Sequence, residues 1–183
     1  MLQLNHPVLK VIASLYFEIK RLFYQLKYPN LTMARGVQIK GSLHIQGSVR
    51  VAIGAGSRLG KHVQIYGSGE LTIGYNVLLN GACIGCERAV TIGDECLISD
   101  CFIADSDYHN LEPHLRHCPP GPKVSAPIII ERNVWIGARA TVMKGVHIGA
   151  NSVVGLGSVV RQSVPSGVVA VGNPQQIVKH FNL

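Results

Sequence analysis

The chain has 183 residues, enough for one domain with a real core and hardly enough for two. Nearly half the residues are apolar, few are aromatic and 20 are Gly; this excludes a disordered chain and predicts a core of medium aliphatic side chains. The net charge of +7, from 17 Lys and Arg spread along the chain against 10 Asp and Glu, favours anionic partners such as cofactor phosphates, phospholipid headgroups or an acidic glycan, and the absence of basic–aromatic stripes and basic helix arrays argues against nucleic acid.

Pro7 to Lys27 predicts a helix. Pro suits a first turn, and Val8, Val11, Ile12, Leu15, Ile19, Leu22, Phe23 and Leu26 recur close to the helical period. Tyr16, Phe17 and Tyr24 widen the apolar face, and Lys10, Lys20, Arg21 and Lys27 lie on or beside the polar side. Its uncharged stretch, Val11 to Phe17, is far short of the ~20 residues a transmembrane span needs. Two readings follow. The simpler is a helix packed on the end of the main domain or on a neighbouring subunit, because an open stack of repeats needs a cap. The other is a basic amphipathic helix resting on the inner membrane surface. Met1–Lys10 lacks the basic start and apolar core of a secretory signal, so the five Cys are expected to be reduced thiols in the cytoplasm.

From residue 31 the apolar residues step by six. Ile39 and Ile45 keep the step, as do Ile53, Leu59 and Ile65, then Ile73 and Leu79, then Ile92 and Ile98. Period six fits neither a helix nor a simple strand alternation. It fits a short strand, a tight corner and another strand, three of which make a triangular coil of 18 residues. Ile53 to Ile73 is 20 residues and Ile73 to Ile92 is 19, each one coil with one or two residues added. Within this stretch Cys83 and Cys86 form a lone C-x2-C; zinc wants four ligands and no second pair stands at usable spacing.

Ile92 to Ile130 is 38 residues, one coil plus about 20 more. The excess falls on 109–127, which has no six-residue phase and holds five Pro, and a long loop interrupting a repeat is more often functional than accidental. From Ile130 the step is unbroken through Ile136, Val142, Ile148, Val154 and Val160. Two residues before each next aliphatic stand Val134, Ala140, Val146, Ser152, Ser158 and Val164. The small residue and the aliphatic point inward and the residue between them points out. Gly137, Gly149 and Gly155, following three of the aliphatics, are expected to give the corners backbone freedom. The fold class is therefore all-β: a parallel β-helix over 31–183, an N-terminal helical segment over 1–30, and one interrupting loop.

The blocks Asn133-Val-Trp-Ile-Gly-Ala138, Gly145-Val-His-Ile-Gly149, Gly155-Leu-Gly-Ser-Val-Val160 and Gly172-Asn-Pro174 resemble the hexapeptide-repeat acyltransferase family over roughly Leu31 to Phe181. Within it the chain is most similar to the branch that O-acetylates galactosides, maltose and bacterial surface polysaccharides. The resemblance implies a left-handed coil, a homotrimer, and acetyl-CoA in the groove between neighbouring prisms. It also implies a loop His that meets the thioester; the spacing of His and Cys, taken separately, leads to the expectation of no metal.

Transfer to a hydroxyl needs a base, and imidazole can take the hydroxyl proton and pass it to the departing thiolate. Asp105-Ser-Asp-Tyr-His109-Asn opens the interrupting loop. His109 matches the family's catalytic His, and Asp105 or Asp107 would hold one ring nitrogen as a carboxylate does in a triad. His114 and His117 invite a zinc reading, but three His in one Pro-rich loop are not pre-oriented as tetrahedral ligands. Asn80 falls near the acceptor-binding Asn of sugar-acetylating relatives; the alternative is a corner Asn in the left-handed conformation. Trp135, the only Trp, points outward into the groove, for cofactor or subunit packing. Ala138 and Leu156 occupy groove positions, and Arg161 and Lys179 are candidates for the cofactor phosphates or, alternatively, a solvated face. Leu156 stands where many relatives have Ala, and its bulk is expected to shift or narrow the pantetheine path. Cys101 and Cys118 flank the His, but the resemblance implies direct transfer and no acyl-Cys. The competing readings are an N-acetyltransferase of a nucleotide-linked amino sugar and a non-catalytic β-helix scaffold.

Overall fold

A computed structural model of the chain describes residues 7–121 and 124–182. Residues 1–6, Pro122, Lys123 and Leu183, and with them part of the readings of the N terminus and of the loop, lie outside the described residues. The predicted helix forms as α1 (Pro7–Lys27). Short strands follow in coils of three. The first coil holds β1 (Leu31–Met33), β2 (Gln38–Ile39) and β3 (Leu43–Gly47), and the second β4 (Arg50–Ile53), β5 (Arg58–Leu59) and β6 (Val63–Gly67). The third holds β7 (Glu70–Ile73), β8 (Leu78–Asn80) and β9 (Cys83–Cys86), and the fourth β10 (Ala89–Ile92), β11 (Leu97–Ser99) and β12 (Phe102–Ala104). Beyond the loop come β13 (Ile128–Ile130), β14 (Trp135–Ile136) and β15 (Thr141–Val142), then β16 (His147–Ile148), β17 (Val153–Val154) and β18 (Val159–Val160). β19 (Val168–Val171) opens a further turn, and β20 (Gln176–His180) folds back on it antiparallel.

Strands stack on their counterparts in the next coil, giving three sheets that are parallel except at the β19–β20 end. The first face runs β1-β4-β7-β10-β13-β16, the second β2-β5-β8-β11-β14-β17-β19-β20, and the third β3-β6-β9-β12-β15-β18. The result is a left-handed parallel β-helix of about seven turns. The long loop does not disturb the stack: Val90 pairs with Ile128 and Ile92 with Ile130 across it.

The six-residue step is the cause. On the second face Leu59, Leu79, Ile98, Ile136 and Val154 lie in direct register, and all are buried. Burying each such side chain is worth roughly 1.5–3 kcal/mol. Val134, Ala140, Val146, Ser152, Ser158 and Val164 are buried as expected. The two inward Ser pay no desolvation penalty. Ser152 Oγ donates to Pro165 O at 2.7 Å and accepts from Val168 N, and Ser158 Oγ accepts from Gly172 N at 2.9 Å.

The corner glycines have a different reason from the expected one. Gly137, Gly149 and Gly155 do not adopt left-handed backbone. A Cβ on Gly149 would meet Ser166 N at 2.4 Å, and one on Gly137 would meet Leu156 N at 2.9 Å, so it is close coil-to-coil stacking that forbids a side chain there. The left-handed conformation falls elsewhere in the corner, at Asn76, Glu95, Asn133 and Asn151 among others.

The helix packs on the first coil, but through the side that carries Phe17 and Tyr24 beside Lys20 and Arg21, not through the Val8–Leu26 stripe. Tyr24 is buried and Ala13 and Phe17 half-buried. Lys20 Nζ donates to Gly41 O at 2.9 Å, and Arg21 donates to Met33 O at 3.0 Å and pairs with Glu18 at 2.7 Å. The open end of the coil stack is a rim of backbone carbonyls, and cationic donors satisfy it where an apolar face would not. The apolar stripe from Val8 to Leu26 is exposed. No helix among the described residues is long and apolar enough to cross a membrane.

Candidate active site

The interrupting loop leaves the prism after β12, at the edge between the third and first faces. Asp105 is fully buried there. Its carboxylate accepts backbone N–H bonds from Glu87 at 2.7 Å and from Arg88 and Ala89 at 2.8 Å each, which fixes the corner of the coil beneath. Ser106 and Ser125 pair as an antiparallel bridge that closes the loop's neck, so the excursion starts earlier than residue 109. Asp107 pairs with Lys144 Nζ at 2.6 Å, and Lys144 also donates to Val124 O at 3.2 Å, tying both sides of the neck to the fifth coil. Both carboxylates are thus spent on backbone and lysine. Neither is hydrogen-bonded to His109 in this chain.

Tyr108 sets where His109 begins. Its backbone is left-handed, φ 61°, and its ring lies 5.7 Å from that of Tyr66. The Tyr108 hydroxyl is buried over Gly85, where a Cβ would come within 1.9 Å of it, and among the described residues it makes no well-formed hydrogen bond. Burial pushes this phenol well above its ordinary pKa, and the neighbouring Tyr66 adds to the effect. His109 follows directly. It is exposed, and among the described residues no hydrogen bond engages its ring. It lines a hollow of about 710 Å³ with Tyr108, Arg116, His117, Cys118, Pro119 and Pro120. One residue closes the loop on itself: Asn110 Nδ2 donates to the carbonyls of Leu115, Cys118 and Pro119 at 2.9–3.2 Å, and its Oδ1 accepts from Gly121 N.

Asn80, Ala138 and Leu156 occupy another edge, between the second and third faces, whereas Arg161 lies between β18 on the third face and Val164 on the first, and Lys179 lies on β20 of the second. Asn80 ends β8, and its Oδ1 accepts from Lys61 N at 2.9 Å. Its φ is not left-handed; Gly81 takes that conformation, φ 71°. Corners stack upward from it: Asp100 N donates to Asn80 O, Arg139 N to Asp100 O, and Gly157 N to Ala138 O at 2.9 Å. Ala138 and Leu156 therefore lie in adjacent corners, with Leu156 70 % exposed. Trp135 stands on the outer second face, 53 % exposed, in register between Leu97 and Val153. Arg161 and Lys179 are both exposed. Gln175 caps the Arg161 backbone at 2.7 Å, and Lys179 Nζ lies 5.2 Å over the Phe181 ring. A single chain so gathers Asn80, Ala138 and Leu156 on one edge and puts His109 on another.

The thiols are placed for packing. β9 turns Cys86 inward and Cys83 to the opposite side, as residues three apart on a strand must be. Burial raises the Cys86 and Cys101 thiols to about 12 and Cys96 to about 11. Cys118 is exposed. His114, in a short 3-10 turn, and His117 are exposed, and no cluster among the described residues could hold a metal ion.

A family model for the hexapeptide repeat of succinyl-transferase matches residues 127–162, the fifth and sixth coils. The Escherichia coli (strain K12) protein named "Putative lipopolysaccharide biosynthesis O-acetyl transferase WbbJ" is 33 % identical over 144 residues, 74 % of this chain and 74 % of that one. The chain belongs to the hexapeptide-repeat acyltransferase family. The galactoside O-acetyltransferase of Escherichia coli (strain K12) is 39 % identical over 118 residues, 64 % of this chain and 57 % of that one, so the match spans little more than half of that relative. A solved galactoside acetyltransferase in complex with coenzyme A shares the fold at a TM-score of 0.58 and 25 % identity, over 98 % of this chain and 74 % of that one. What sequence reasoning missed in this hexapeptide-repeat chain is the loop's fastening: Tyr108, Asn110 and Lys144. Asn110 and Tyr108 adjoin His109 and could have been suspected; Lys144, 37 residues from Asp107, carries no signal until the coils are stacked.

Proposed function

We propose that the chain is an acetyl-CoA-dependent O-acetyltransferase acting on a sugar hydroxyl in bacterial surface-polysaccharide synthesis, on the cytoplasmic side, with His109 as general base. The observation that carries this is the placing of His109 at the mouth of a fastened loop. Its ring is exposed and uncommitted among the described residues, and it opens on a hollow. The similarity to the lipopolysaccharide O-acetyl transferase over three quarters of the chain supports the acceptor class.

In the proposed reaction the sugar hydroxyl attacks the thioester carbonyl while its proton passes to the His109 imidazole. The tetrahedral oxyanion is held by backbone N–H groups. It collapses with cleavage of the C–S bond, and the imidazolium returns the proton to the coenzyme A thiolate. No metal and no acyl-Cys enters. Asp105 and Asp107 act as positioning residues, through the loop neck and not on the imidazole. Trp135, Ala138 and Leu156 line the pantetheine groove, Arg161 and Lys179 meet the phosphates, and Asn80 meets the acceptor. His109 and the groove lie on different edges of one prism, which supports a homotrimer whose sites form between subunits.

The test is thiol release from acetyl-CoA, with the purified chain offered free and lipid-linked sugars and His109→Ala run alongside. Acceptor-dependent release that falls at least ~100-fold in His109→Ala is expected. Unchanged release in the variant would sink the role of His109, and absence of acetyl-CoA binding would return the scaffold reading.

A further inference from the structure

The helix α1 keeps its apolar stripe on the side away from the prism. Val11, Ile12, Leu15, Ile19, Leu22 and Leu26, three or four residues apart, are each at least half exposed, Leu26 85 %. Tyr16 and Phe23 widen the stripe and are exposed as well. Phe17, Lys20, Arg21 and Tyr24, half a turn round, hold the first coil. The stripe runs the length of a helix of 21 residues, about 30 Å.

Charge is distributed to match. Residues 1–69, the helix and first two coils, contain nine of the 17 Lys and Arg but one of the ten Asp and Glu, a net charge of +8. The other 114 residues hold eight basic and nine acidic side chains, a net −1. The lone acid, Glu18, is taken by Arg21 and by Gly36 N. Arg50 pairs with Glu70 and Lys61 with Asp100, both from later coils. Among the described residues no carboxylate comes within 4 Å of Lys10, Lys27, Arg35, Lys40 or Arg58, and all five are exposed.

We propose that α1 is an in-plane anchor that lays this stripe on a bilayer carrying anionic lipids, with the prism standing on the far side of the helix. Apolar side chains enter the acyl boundary, Lys27 at the stripe's flank reaches lipid phosphates, and the net charge of +8 over residues 1–69 draws this end of the molecule to the anionic surface. A second copy is the weaker occupant, because it would bring two +8 ends together with no acidic residue to offset them. The assignment is independent of the chemistry proposed for His109.

The experiment is flotation of the purified full chain with vesicles of phosphatidylcholine alone and of phosphatidylcholine with about 30 % phosphatidylglycerol, at low and high salt. Binding to the anionic vesicles that weakens with salt is expected. Lys27→Gln, at the flank of the stripe, should weaken it about fivefold, and Lys10→Gln, on the prism side, less. Leu15→Glu, Ile19→Glu and Leu22→Glu together should abolish it while thermal unfolding stays unchanged, because these side chains touch no core. Absence of binding to either vesicle would overturn the proposal. So would a fall in the solution mass of the triple variant by sedimentation, which would show a second copy covering the stripe. Equal, salt-insensitive binding to both vesicles would overturn the anionic assignment.

Discussion

Asp105 shows how one residue serves a site without touching it. Three backbone N–H groups converge on a carboxylate with no exposed surface, and charge-assisted bonds of this kind are the strong ones. Asp105→Ala would leave those donors unpaired beneath the loop neck, and a loss of about 3 kcal/mol is expected, read from the urea midpoint. A loss under about 0.5 kcal/mol would show that water replaces the carboxylate without penalty. The thiols make a second prediction at this scale. Burial holds Cys86, Cys96 and Cys101 protonated, with values of about 12, 11 and 12, so at pH 9 at most about 1 % of any of them is thiolate. Native protein titrated with a thiol-specific chromophore should react promptly at Cys118 and slowly at half-buried Cys83, whose thiol burial also pushes up. The other three should respond only after unfolding, at pH 7 and pH 9 alike. Prompt reaction of all five would mean that the coils open readily.

Elements divide by why their glycines are glycines. Gly149 has an ordinary backbone but no space, and Gly157 has space but a left-handed backbone, φ 69°. Gly149→Ala should cost more than about 2 kcal/mol, because main chain must move, whereas Gly157→Ala should cost about 1–2 kcal/mol, the left-handed penalty alone. Thermal unfolding of the two variants decides it; equal costs would remove the distinction. This also explains what the sequence could and could not reveal. Alternation of Val134, Trp135 and Ile136 writes in, out, in, so the ladders, the outward Trp and the interruption before Ile128 were legible residue by residue. The face α1 turns to the prism was not. Its period marks the apolar stripe, but the first coil offers carbonyls, and Lys20 and Arg21 answer them. Asp107 and Lys144 were likewise illegible as a pair, because only the stacking of coils brings residues 37 apart together.

The whole molecule separates its candidate parts along the prism. His109 leaves from the edge between the third and first faces, and Asn80, Ala138 and Leu156 mark the edge between the second and third. The third face lies between them. If the site forms between subunits, two defective chains should repair each other. His109→Ala lacks the base but keeps its groove; Ala138→Trp fills its groove but keeps its base. Mixed one to one, unfolded and reassembled together, each interface needs an intact His109 from one chain and an intact groove from its neighbour. Random assembly supplies that at about a quarter of interfaces, so about a quarter of wild-type activity should return from two nearly inactive proteins. Recovery near zero, with mixed assemblies present by mass, would place His109 and the groove within one chain. The loop, fastened at Asp107 and Asn110, would then have to fold back across the third face to reach the groove.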